Sequence, residues 1–162
     1  VLIVNLECKK CEDYPYLPRF GLTFYLNGSN KDKLYYYGMG PYDSYIDKNQ
    51  ASYLGYFEEE VGKLFEHHIR PQENGSHFNT YFVKVNGIVF QSTAPFSFNA
   101  SMYSVAQILE KEHDFELKEE GLNLHIDYKM SGVGSAACGP ELRDEYKLNE
   151  NEFSFNFDVI IP

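Results

Sequence analysis

The segment Leu122-Asn-Leu-His-Ile-Asp-Tyr-Lys-Met-Ser-Gly-Val-Gly-Ser-Ala-Ala-Cys-Gly-Pro140 decides how this chain is read. Leu122, Leu124, Ile126, Tyr128 and Met130 alternate with Asn123, His125, Asp127 and Lys129. That two-residue period predicts a strand buried on one face only, with the polar set turned to water. A loop punctuated by Gly132, Gly134, Gly139 and Pro140 follows, suited to a backbone that bends sharply or approaches another surface closely. Glu145 to Leu148 then resume an extended pattern.

The same alternation recurs outward from this segment. Leu22, Phe24 and Leu26, then Tyr81, Val83 and Val85, then Phe153, Phe155, Phe157, Val159 and Ile161 each predict a strand with one core face. Asn86-Gly87 between two strand-like runs is a strong signal for a two-residue hairpin. One helix is predicted over Ser104 to Glu112, where Ser104 and Gln107 can form a capping box and Val105, Ile108 and Leu109 share a face. A weaker helical pattern runs from Glu58 to Phe65. With no βα repeat, solenoid period or low-complexity linker, the expectation is an all-β antiparallel sandwich with one short helix.

Composition narrows the function. The 162 residues suffice for one domain with a real core, and 14 Tyr and 13 Phe argue for packed sheets. A net charge of −10 repels nucleic-acid phosphates and anionic lipid, which excludes those partners and leaves neutral sugars and proteins. No segment approaches the roughly 20 apolar residues of a membrane span, and Val1 to Leu6 are too few for a signal-peptide core. The chain opens in a strand-like run without Met, so it is expected to be cut from something longer. Cys8, Cys11 and Cys138 form no disulfide framework, and Cys8-Lys-Lys-Cys11 lacks the second pair a zinc site needs. Free thiols and a cytoplasmic location are the reading that follows. Asn27-Gly-Ser29 and Asn74-Gly-Ser76 match glycosylation sequons but read as turns.

Few residues suggest chemistry. Glu58-Glu59-Glu60 and Glu119-Glu120 read as solvated faces, adjacent His67 and His68 would point to opposite sides of a strand, and His113 and His125 read as hydrogen-bonded structural residues. No nucleophile elbow, phosphate loop or dinucleotide fingerprint is present.

The segment from Leu122 to Pro140 resembles the closing part of lac-type β-galactosidases of glycoside hydrolase family 2. "LPRFG" from Leu17, "GMGPYDSYID" from Gly38, "RPQENGSH" from Arg70 and "FSFNASMYS" from Phe96 resemble the same C-terminal domain in the same order. The resemblance implies an antiparallel super-sandwich similar to the galactose mutarotase fold, with residues 1–162 as the C-terminal part of that larger domain. It implies a retaining hydrolase of terminal β-D-galactosides such as lactose. Its two carboxyl groups, about 5 to 5.5 Å apart, would stand on a barrel of about 250 residues that this chain cannot contain. This chain alone is therefore expected to be inactive, with no catalytic residue, no metal ligand and no cofactor of its own. Any Mg²⁺ or Na⁺ of the complete enzyme would bind mainly elsewhere.

What the resemblance leaves here is the Gly132 to Pro140 loop. In some of the resembled enzymes it presents a Trp to the leaving-group sugar, and here Cys138 takes that place. Gly134, Ser135, Cys138 and Gly139 are the implied substrate-binding residues, exposed and mobile until docked on the barrel. Two departures remove possible bidentate ion pairs: Ser76 to Phe82 replace a stretch with Asp, Arg and Trp, and Lys48 stands where Arg is frequent. The implied partners are the barrel and preceding domains, or a separate large chain, in an oligomeric enzyme. Two other readings stand beside this one. The first is a stand-alone carbohydrate-binding module stacking sugars on Tyr35, Tyr36, Tyr37, Tyr53 and Tyr56, and the second is a purely structural interaction domain.

Overall fold

The computed structural model describes residues 1–132 and 138–162. Among them the strands are β1 (Leu2–Lys9), β2 (Arg19–Leu26), β3 (Lys33–Gly40), β4 (Tyr53–Glu60), β5 (Ser76–Val85), β6 (Ile88–Ser101), β7 (Leu122–Met130) and β8 (Glu152–Ile160), with one α-helix, α1 (Val105–Glu110). Every strand pair is antiparallel, so the all-β expectation holds.

The 14 residues of β6 organise the sheet. β5 lies along one side of it, continuing through β3 to β4. On its other side β6 pairs first with β8, at Val89 to Gln91, and then with β7, at Ser97 to Ser101. The sheet therefore forks, one branch running β8-β1 and the other β7-β2. The branches fold against each other through aromatic rings: Phe24 of β2 lies 6.1 Å from Phe157, Phe20 lies 5.0 Å from Phe153, and Tyr128 of β7 stacks on Phe153 at 4.8 Å. Between them sit Leu122, Leu124, Ile126, Phe98, Phe155, Phe157 and Val159, all buried.

Asn86 and Gly87 both adopt left-handed backbone, at φ 51° and 80°, and join Val85 to its partner Ile88 in the predicted two-residue hairpin. The helix starts as predicted, with the Ser104 hydroxyl accepting from the Gln107 N–H, but it is shorter. Its inner side is Gln107 and Ile108, while Leu109 is 81% exposed. Gln107 wins the inner position because its amide bonds Lys118 at both the carbonyl (2.9 Å) and the N–H (2.6 Å).

Three expectations are corrected. Glu58 to Glu60 continue strand β4 and only Val61–Lys63 form a 3-10 turn, because the register with β3 holds this stretch extended. Glu145 and Tyr146 belong to a 3-10 turn over Asp144–Tyr146, not to an extended run. Most important, β7 is buried on both faces: Asn123, His125 and Asp127 are as inaccessible as the leucines. Alternation reported the chemistry of the two faces, and the loop from Val61 to Gly75 supplies the cover that turns the polar face into a second interior.

Two expected outcomes follow. Phe157→Ala, deep in the core, should cost about 3–5 kcal/mol in urea unfolding, and removal of residues 153–162 should abolish soluble folding. His77 is buried beside Phe98 and Tyr36, donating from Nδ1 to the Met39 carbonyl at 3.1 Å, and burial pushes its pKa down to about 4. Between pH 6.5 and 4 the unfolded chain then binds a proton that the folded chain refuses, so stability is complete above pH 6.5 and falls as pH drops. The loss for His77 is on the order of 3 kcal/mol, and His77→Phe should make this limb shallower in unfolding curves taken across pH.

Candidate functional site

The polar face of β7 gathers at the end of the β2–β7 ribbon. The register there shifts between Phe20 and Gly21, so that Arg19 pairs with Met130 and Gly21 with Asp127. The shift brings the Arg19 guanidinium onto the Asp127 carboxylate through Nε at 3.3 Å and Nη2, while Nη1 binds Glu73. Burial lifts the Asp127 carboxyl above its ordinary pKa, and the Arg19 charge opposes that shift. Burial alone would weaken the proton affinity of Arg19, yet Asp127 and Glu73 outweigh it and raise its pKa.

Behind this pair, His125 shares a 2.9 Å hydrogen bond with Thr23 and is pushed down to about 4 by burial and by the Arg19 charge. Asn99 donates to the carbonyl of Asn74. Asn74, from the "PQENG" segment, accepts from the Glu66 N–H at 2.8 Å and donates to the Glu66 and Gln72 carbonyls at 2.9 and 3.1 Å. One asparagine thus folds the Glu66 to Gly75 loop onto the sheet.

Beyond β7, Ser131 is a node. Its N–H donates to the Pro18 carbonyl (2.9 Å), its hydroxyl donates to the Leu17 carbonyl (2.8 Å) and accepts from the Leu148 N–H (3.0 Å), and Leu17 bridges back to Leu148. This group of bonds fixes the residue that precedes the glycine-rich loop and ties it to Leu148, further along the chain. Gly132 comes next, packed so closely on the Asp47 carboxylate that a Cβ there would overlap it. Asp47 borders a cleft of about 230 Å³ whose walls also include Asp43, Glu66, Glu73, Lys48 and His68.

Of the sequence-predicted site residues, Cys138 and Gly139 are exposed, and Gly134 and Ser135 lie outside the described residues. Among the described residues a Cβ on Gly139 would meet no atom within 4 Å. Lys48, where Arg was expected, makes an exposed pair with Asp43 at 3.3 Å, and the bidentate contact of this end is supplied by Arg19 instead. No group of three or more His, Cys, Asp and Glu among the described residues could hold a metal ion, so no residue here is assigned to Mg²⁺ or Na⁺. His67 pairs with Asp114 at 2.6 Å in a loop, not on a strand. Of the five tyrosines considered for sugar stacking, Tyr36 is a core residue, 1% exposed, because it faces Phe57, His77 and Phe98.

The β-galactosidase small-chain family model matches residues 2–159. The chain belongs to the β-galactosidase small-chain family. It is 40% identical over 158 residues to the β-galactosidase of Actinobacillus pleuropneumoniae and 44% over 163 residues to that of Staphylococcus xylosus, matching 97% and 98% of its own length. The β-galactosidase of Kluyveromyces lactis is 35% identical over 166 residues. The chain spans 16% of the length of each of these relatives, so what it shares with them is a small domain of a larger protein. No helix among the described residues is long and apolar enough to cross a membrane.

The small-chain domain thus carries a polar group that sequence reasoning passed over: Asn74, Asp127 and Ser131 are buried, and the half-buried Arg19 and Glu73 close over Asp127. Its signal was present in the polar triplet Ser97, Asn99 and Ser101, which aligns with Asp127, His125 and Asn123 across the β6–β7 pairing. Arg19→Met should cost about 3–5 kcal/mol by leaving Asp127 buried and unpaired, and adding Asp127→Leu should recover part of that loss in thermal or urea unfolding.

Proposed function

We propose that this chain is the C-terminal region of a β-galactosidase that hydrolyses terminal β-D-galactosides of the lactose type. In this reading it forms part of a super-sandwich domain, similar to the galactose mutarotase fold, whose remainder lies in the rest of the polypeptide or in a separate large chain. A barrel elsewhere supplies both carboxyl groups of a retaining mechanism, and this region acts as scaffold and as one wall of the leaving-group subsite. Gly134, Ser135, Cys138 and Gly139 form that wall. The enzyme is oligomeric and acts on a neutral sugar in the cytoplasm.

One observation supports this reading above the others. The base of the loop is tightly built, with Ser131 holding Leu17, Pro18 and Leu148 together, whereas Cys138 and Gly139 are exposed. A well-anchored base beside exposed residues suits a segment presented to something outside the chain.

The isolated chain should cleave a chromogenic β-galactoside no faster than buffer. In the complete enzyme Cys138→Trp should lower the KM for a disaccharide about fivefold, since an aromatic face stacking on the leaving-group sugar gains on the order of 1 kcal/mol. Nitrophenyl galactoside should respond less, and equal effects on both substrates would reduce this region to scaffold alone.

A further inference from the structure

We propose that the cleft between the turn after β3 and the loop from Val61 to Gly75 binds a neutral saccharide, whose hydroxyls reach His77 Nε2, Glu66 and Lys63 while its ring lies against Tyr42. The cleft holds about 430 Å³, within the range of about 300–1,000 Å³ usual for small-molecule sites. The proposal is independent of the leaving-group reading, since none of its residues is assigned there, and Tyr42 is not among the tyrosines that the sequence singled out.

An unmet acceptor lines this cleft. His77 is 1% exposed, and its Nδ1 carries the ring proton because the Met39 carbonyl can only accept. Burial keeps the ring neutral down to about pH 4, so Nε2 is a bare acceptor. Among the described residues Nε2 has no partner. Nor is it sealed inside: the fully enclosed side-chain atoms without a partner are the Tyr45 and Ser76 hydroxyls and one Glu150 oxygen. His77 lines the cleft, which is therefore where this acceptor opens. A buried acceptor left unmet costs free energy, and a donor brought by a ligand recovers it.

The other walls fix the chemistry of that ligand. The backbone of Glu66 is clamped by the Asn74 side chain at 2.8 and 2.9 Å, and its carboxylate makes no ion pair among the described residues. Lys63, on the 3-10 turn, pairs with Glu59 at 3.5 Å and Glu60 at 4.0 Å and, with three N–H donors, keeps one to offer. Asp43 is already paired with Lys48 at 3.3 Å. A guanidinium, which only donates, would meet the Lys63 charge. A phosphate would meet Glu66 and a second bare acceptor at Nε2. A hydroxyl both donates and accepts, and neighbouring hydroxyls on a sugar ring can serve several side chains at once. Tyr42, 65% exposed, adds a flat apolar face of the kind on which a sugar ring packs.

The test is an NMR titration of this chain, labelled with nitrogen-15, with lactose and, separately, with maltose. At least one sugar should shift the amide signals of residues 42–43, 63–66 and 74–77 saturably, with a Kd on the order of 1–10 mM, and should move the His77 Nε2 resonance as it accepts a hydrogen bond. Tyr42→Ala and Lys63→Met, both changes at the surface, should each weaken binding about five- to tenfold while the cooperative melt persists. His77→Phe should abolish binding, and where that variant does not melt cooperatively the two surface variants decide. Cleft amides unmoved by both sugars at about 100 mM, or shifts centred on other residues, overturn the proposal. Binding that either surface variant leaves unchanged overturns it as well. Arginine amide binding more tightly than both sugars, and more tightly still to Lys63→Met, would make the cleft a cation site and overturn it too.

Discussion

The ion pair of Arg19 with Asp127, closed by Glu73, is the constraint on which the rest of this domain depends. Asp127 stands on a strand buried on both faces and is 2% exposed, so its charge must be met inside the protein. A buried pair of this kind adds little net stability over a well-packed apolar substitute, but an unpartnered charge costs several kcal/mol. The pair therefore acts mainly by exclusion. Slipping β2 by one residue along β7 would move Arg19 away from Asp127 and turn Phe20 out of its contact with Phe153. Gly21 belongs to the same constraint, since a side chain at that position would collide with Ile126 and Asp127.

From that register follows the second interior. With Arg19 fixed, Glu73 is drawn in, and the loop it belongs to is pulled over the polar face of β6 and β7. Asn74 then satisfies three backbone groups of that loop, and Asn99 reaches across to the Asn74 carbonyl. Arg19, Asn74, Asn99, His125 and Asp127 each have a partner at hydrogen-bond distance, which makes their burial tolerable, whereas the buried Ser76 hydroxyl beside them has none. The domain thus has an aromatic core between its two branches and a hydrogen-bonded layer behind one of them.

The aromatic core was legible in the sequence and the polar layer was not, for a physical reason. Apolar alternation in β7 and β8 reports a face that leaves water whatever covers it, and the two-residue Asn-Gly turn needs only local backbone geometry. The burial of Asn123, His125 and Asp127 depends on a loop some 50 residues earlier, and a polar side chain looks the same in sequence whether water or a protein carbonyl satisfies it. Helix boundaries failed on similar grounds. Leu109 fits an apolar face by spacing, but Gln107 gains two hydrogen bonds to Lys118 and takes the inner position. At the candidate site, the glycine-rich loop could be read as a loop and its family recognised. The crowding at Gly132 could not be read, because the atoms it meets belong to the side chain of Asp47.

The contrast between base and tip of that loop also bears on how such a domain can change. Ser131 and Leu148 are bonded to distant backbone, so substitution there is felt through the fold. Cys138 and Gly139 are exposed and belong to neither interior. A residue at the tip can then be exchanged, a ring for a thiol included, without cost to the ion pair, the polar layer or the aromatic core. In the reading proposed above, the residue at position 138 answers to what the loop meets outside the chain rather than to a demand of the fold, and the anchored Ser131 is what separates the two constraints.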